Sequence, residues 1–221
     1  MTAESWRIPV GSDHVSATYE PAATDVQSAI FVCAHGAGGH MSDRGMLATA
    51  QATREAGLGV VRFNFLYKER KSGRPDAMPL LMETTSAVVA FTRDALAPSR
   101  LLIGGRSMGG RAASMLAADG FDADGLVLLA YPLHPAGQPE KLRDAHLARI
   151  RMRTLCVNGT RDTLCTPALM ERALTTVTCP WTMHWVDGAD HSFHVLKSSG
   201  RNDAQVMHEI TDVTRRWIAT P

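Results

Sequence analysis

Apolar residues along this chain come in short, nearly unbroken runs separated by longer stretches of helical periodicity. The runs fall at Ile30–Ala34, Val60–Phe65, Leu101–Ile103, Leu126–Leu129, Thr154–Val157 and Met183–Val186. Continuous rather than alternating hydrophobicity marks strands buried on both faces. Between the runs, residues 43–56, 80–97, 108–118, 138–150, 166–176 and 203–219 read as helices. In the last of these, Val206, Ile210, Val213 and Trp217 recur at steps of four, three and four, which places them on one face. At the N-terminus, Trp6–Val10 and His14–Tyr19 flank the turn-forming "GSD" and read as a hairpin. Strand–helix alternation predicts an α/β architecture: one mostly parallel sheet of about seven to eight strands with helices on both faces. No repeat or linker interrupts residues 1–221, so a single domain is expected.

Composition narrows the partners. The chain has 221 residues, 45% hydrophobic and 20% charged, with 23 basic and 22 acidic side chains. A net charge of +1 gives no electrostatic basis for a nucleic-acid or anionic-membrane partner. No apolar run reaches bilayer-spanning length. The start "MTAESWRIPV" lacks a basic segment followed by an apolar stretch, and Cys33, Cys156, Cys165 and Cys179 show no paired or zinc-ligand spacing. A reduced, cytoplasmic chain is expected.

The chemistry centres on "IGGRSMGGR", residues 103–111. Ser107 follows a strand and precedes a helix, with Gly105 and Gly109 on either side. A strand–serine–helix turn strains the backbone at the serine, and glycines remove the side chains that would collide there. The helix that starts after Ser107 aims free N–H groups and a positive dipole end at the position of an oxyanion. A serine needs a base, and the base an acid. In this topology they follow in the order serine, acid, histidine. Asp162 lies beyond the strand "TLCV" and His191 beyond "MHWV", both at the carboxyl edge of the sheet where Ser107 sits. Asp187 and Asp190, in the histidine's own loop, are rival acids. The loop "HGAGGH" supplies the second oxyanion donor. The backbone N–H of Ala37 is the choice, with Gly36 or Gly38 as alternatives, and Met108 supplies the first.

Other residues have competing readings. His35 precedes the oxyanion loop and reads as packing that orients it. His134, in "YPLHP", either faces the acyl pocket or stabilises a turn. Arg106 binds a substrate carboxylate or pairs with a nearby acid. Arg70 belongs to the polar loop 67–76, either as a substrate contact or as a solvated side chain. Asp187, Asp190, His191 and His194 have metal-binding side chains, but His191 serves poorly both a metal and Ser107. No metal or cofactor is expected.

The motifs "HGAGG", "GGRSMGGRAAS", "YPLHPAGQPE", "GTRDTLCTP" and "GADHSF" resemble one small α/β-hydrolase family. That family includes testis-expressed protein 30 and the hydrolase-like domain of the third subunit of the nonspecific-lethal complex, and is distantly related to dienelactone hydrolases. The resemblance spans about residues 28–219. It implies the α/β-hydrolase fold and Ser107, Asp162 and His191 as triad positions. The expected activity is acyl transfer from a small-molecule ester to water. Two alternatives are an interaction protein on a hydrolase fold and a metal site on residues 187–194. Lids in this fold often follow the strand after the nucleophile helix. Here that interval, Ala130 to Met152, holds 23 residues, including a crossover helix expected at "PEKLRDAHLARI". No separate lid domain fits.

Overall fold

A computed structural model describes residues 3–24 and 28–220. Eight strands form one sheet: β1 (Glu4–Val10), β2 (Asp13–Glu20), β3 (Ala29–Ala34), β4 (Leu58–Phe63), β5 (Leu101–Arg106), β6 (Gly125–Leu129), β7 (Thr154–Gly159) and β8 (Trp181–Val186). Their spatial order is β1-β2-β4-β3-β5-β6-β7-β8. β1 and β2 form the expected hairpin, β2 pairs antiparallel with β4, and every later pairing is parallel. Strands β3 to β7 are buried throughout except for Arg106 at the end of β5, as their continuous apolar runs require.

Among the described residues, six α-helices cover the two faces: α1 (Arg44–Glu55), α2 (Leu66–Glu69), α3 (Met78–Leu96), α4 (Met108–Ala118), α5 (Pro167–Leu174) and α6 (Asp203–Ala219). Leu81, Val88 and Val89 of α3, Ala112 and Ala113 of α4, and Met170 of α5 pack into one core layer. Met46 and Ala50 of α1, with Val206, Ile210, Val213 and Trp217 of α6, fill the other. The stripe read from the α6 sequence is thus its buried face. This helix begins with a capping box, in which Asn202 and Gln205 satisfy each other's backbone N–H groups.

Three sequence expectations need correction. Strand β4 ends at Phe63, two residues before the expected Phe65. Asn64 donates its N–H to Ser16 O, and the Phe65 N–H turns out of the sheet to His35 Nε2. The loop 67–76 is not wholly irregular, because α2 occupies its start and buries Tyr67. The helix expected over 138–150 is absent; a 3-10 turn at Leu147–Arg149 is the only helical piece there. Arg143 shows why. Its N–H donates to Leu133 O at 2.7 Å, and its carbonyl accepts from the Tyr131 hydroxyl at 2.8 Å. With both groups held by the preceding segment, an i to i−4 ladder cannot run through. Leu147 and Ile150 are buried all the same, so this connection is a wall of the core and no separate lid domain stands on it.

Candidate active site

Parallel pairing brings the loops after β3, β5, β7 and β8 to one sheet edge. Ser107 follows β5 directly and adopts φ 47°, ψ −114°, a conformation that costs a non-glycine residue about 1–3 kcal/mol. Its N–H is tied to Leu129 O at 2.9 Å, and α4 begins at the next residue. The strained turn lifts the side chain above the sheet.

His191 meets it there: Nε2 lies 2.9 Å from Ser107 Oγ, and Nδ1 lies 2.8 Å from Asp162 Oδ2. The side chain of Asp162 is fully buried. It accepts hydrogen bonds from the Leu164 N–H (2.8 Å) and Asn158 Nδ2 (3.2 Å), so its charge is satisfied on three sides. The rival acids are engaged elsewhere. Asp187 pairs with the Thr160 hydroxyl. Asp190 accepts the N–H groups of Ser192 and His194, and so shapes the loop that presents His191. Asn158 was missed from sequence. A polar residue at the end of a wholly buried strand was the signal that could have found it.

The loop that carries Ala37 is fixed through His35. The His35 ring is fully buried, and its Nε2 accepts the Phe65 N–H at 3.2 Å. That acceptance fixes the tautomer, so Nδ1–H donates to Gly36 O at 2.8 Å. Gly39 N–H also donates to Gly36 O. In a trans peptide, a carbonyl held on one side turns the following N–H to the other. Gly36 abuts Ser107, with only 3.4 Å between its ideal Cβ position and Ser107 Cβ. Met108, the first residue of α4, has no acceptor a turn earlier for its own N–H. The loop that carries Ala37 and the first residue of α4 thus both adjoin Ser107.

Burial pushes His35 down to about 4, and does the same to His146, whose Nε2 lies 2.7 Å from Ser114 Oγ. Both lie below the unfolded value of 6.5. The unfolded chain therefore binds more protons between these limits. Stability is fully present above about pH 6.5 and is lost as pH falls toward 4, at about 2 kcal/mol per pH unit near pH 5 for the two together. Urea unfolding measured from pH 7 to pH 4.5 checks the slope, and His146→Gln should halve it. A flat profile contradicts the assignment.

A cleft of about 830 Å³ opens beside Ser107 and His191, walled by Asp43–Met46 at the α1 start and by Asp203, Ala204 and Met207 of α6. Arg106 and Phe193 line it as well. Two residues expected near the substrate are not among its walls. Arg70 is held by Asp13 at 2.5 Å and Asp76 at 3.8 Å, ion pairs that carry it off with the β2 turn and the segment before α3. His134 is buried, and its ring is used up structurally. Nε2 accepts the Thr166 N–H at 3.1 Å and lies 3.0 Å from the Thr166 hydroxyl, while Nδ1 donates to Pro135 O. It pins the turn after β6 to the start of α5. Among the described residues, no three His, Cys, Asp or Glu side chains converge on a metal-sized site.

With fold and geometry in place, comparison gives the class. Residues 27–219 match the alpha/beta hydrolase domain family, and the chain belongs to it. Its fold is shared with an alpha-beta serine hydrolase homologue from Coxiella burnetii (TM-score 0.78, 20% identity, covering 98% of this chain and 97% of that one). A serine hydrolase without a lid from Xanthomonas campestris aligns at TM-score 0.75 and 20% identity, over 100% and 97% of the two chains. A dienelactone hydrolase from Anabaena variabilis aligns at TM-score 0.75 and 18% identity, over 99% and 98%. At these identities the likeness is one of fold.

Proposed function

We propose that this chain is a lidless serine esterase acting on small soluble esters or related acyl compounds. The carrying observation is the continuous relay Ser107 Oγ, His191 Nε2, His191 Nδ1, Asp162 Oδ2, with contacts of 2.9 and 2.8 Å. His191 takes the Ser107 proton as Oγ attacks the carbonyl. The N–H groups of Met108 and Ala37 hold the tetrahedral oxyanion. Asp162 keeps the Nδ1–H tautomer and stabilises the imidazolium. His191 then protonates the leaving group, and later activates the water that frees the acyl chain. None of these steps needs a cofactor. The motif set supports a place, within the family, beside testis-expressed protein 30. Four free thiols fit a reducing, cytoplasmic setting.

Asp162→Asn tests the relay. The amide cannot hold the imidazolium charge, so kcat should fall about 10⁴-fold with little change in KM. Asp190→Asn and Asp187→Asn should keep most of kcat. A large loss at Asp190 with none at Asp162 would move the acid to the histidine loop.

Chain length tests the lidless reading. The segments that could cover the cleft are committed elsewhere, with Tyr131, Leu133, Leu147 and Ile150 in the core. Each further methylene left in water forgoes about 0.8 kcal/mol of binding. On p-nitrophenyl esters of two to sixteen carbons, kcat/KM should peak at short chains. A rise continuing beyond about eight carbons, or a jump in rate at the micellar threshold, would count against it.

A further inference from the structure

The cleft wall contains a cation that, among the described residues, has no carboxylate in direct ion-pair contact. Arg106 ends β5 and turns its side chain toward α1, where its guanidinium makes contacts of 3.4 Å to Gly45 O and Thr49 Oγ1, with a third of 3.4 Å to His191 O. All three are long and go to neutral oxygens, whereas a guanidinium offers five donors suited to a carboxylate fork. Among the described residues, no carboxylate oxygen lies within 4.0 Å of it. Burial depresses its pKa, and the carboxylates of Asp43, Asp190 and Asp162, which lie beyond ion-pair distance, oppose that shift.

The acids around it have their own donors. Asp43 accepts the N–H groups of Met46 and His40. Asp190 accepts those of Ser192 and His194, and Asp162 is held by Leu164, Asn158 and His191. At the cleft mouth Asp203 is paired with His194 at 2.9 Å. Cys33 is pushed up to about 12 by burial and carries no charge. The Phe193 ring lies 5.2 Å from the guanidinium carbon, a cation–π contact that uses the flat face and spares the N–H edges. Arg44, exposed at the start of α1, adds a second positive charge to the same cleft.

We propose that Arg106 is the anion-recognition residue of this cleft and that the preferred substrates are esters carrying a free carboxylate. This rests on the esterase reading and gives it a substrate class. A substrate carboxylate would supply the direct ion pair that none of the surrounding acids makes, and would fix the ester relative to the adjacent Ser107. The carboxylate sits on the acyl side or on the leaving group, and two probes separate these cases.

The experiment compares the p-nitrophenyl monoester of glutaric acid with the same compound methylated at its free carboxyl, and 4-acetoxybenzoate with its methyl ester. In the wild type, one charged member should exceed its neutral partner in kcat/KM by about 10- to 100-fold, the scale of a charge-assisted hydrogen bond. In Arg106→Gln that ratio should collapse to near one, and Arg106→Lys should recover it only in part. The pair that shows the preference names the side of the ester. Equal rates within both pairs in the wild type would overturn the proposal, with no variant needed. A preference that survives in a folded Arg106→Gln protein would overturn it too. If no ester is turned over, the esterase reading fails on its own. Calorimetric titration with glutarate then judges the anion site: millimolar binding lost in Arg106→Gln upholds it, and no binding to the wild type overturns it.

Discussion

Ser107→Ala is expected to abolish ester turnover, with a loss of at least about 10⁴-fold in kcat, and to end covalent labelling by a fluorophosphonate probe. His191→Ala should match it, because a hydroxyl without its base is a poor nucleophile at neutral pH. The two together should cost no more than either alone, since the relay acts as one unit. The fold should survive. Ser107 is held by backbone bonds, from its N–H to Leu129 O and from Arg111 N–H to its carbonyl, and alanine keeps both. Alanine also keeps the strain at φ 47°. Ser107→Gly should therefore lose activity equally but melt above Ser107→Ala. Parent-level hydrolysis by rigorously purified Ser107→Ala would refute the proposed nucleophile.

The second large effect is on folding. Gly105→Ala should prevent folding or cost more than about 4 kcal/mol. Gly105 sits at φ +141°, and a Cβ built on it would lie 2.1 Å from Ala34 O and 2.6 Å from Ala34 N. Those atoms are the backbone of β3, hydrogen-bonded into the centre of the sheet, and have nowhere to go. Gly109→Ala meets the same residue at 2.6 Å from the α4 side. Gly73→Ala is the control, because nothing lies within 4 Å of its added carbon, and it should change stability by less than about 0.5 kcal/mol. Thermal melts of the three variants check the order. A soluble Gly105→Ala protein with a parent-like Tm would mean that β3 and β5 are less tightly joined than the close approach implies.

The close approach behind the second expectation also explains why the motif is readable. Glycines around Ser107 were expected from the sharpness of a strand–serine–helix turn alone. The structure gives each a neighbour, Ala34, reached from a strand about 70 positions earlier (about the span from β3 to the nucleophile helix). The steric demand is tertiary, although its mark on the sequence is local. The same holds for the order of Ser107, Asp162 and His191. Parallel strands all deliver their following loops to one edge, so residues after three different strands share a site without any sequence proximity.

Where the reading failed, a long-range partner had taken a group that the local pattern left free. Residues 138–150 carry helix-favouring side chains, yet Tyr131 and Leu133 claim both backbone groups of Arg143. His134 and Arg70 are chemically fit to touch a substrate, but Thr166 holds one ring and Asp13 and Asp76 hold the other side chain.

The sequence by itself determined the parallel α/β sheet, the buried stripe of α6 and the strained serine turn, because periodicity and glycine placement are local consequences of burial and sterics. Only the tertiary structure decided which aspartate faces His191, how His35 holds the Gly36 carbonyl, and that Arg106 stands in the cleft with only neutral oxygens in hydrogen-bond contact. Each of these depends on side chains from separate strands meeting within hydrogen-bond range, and no local pattern encodes a distance of 2.8 Å between residues 29 positions apart.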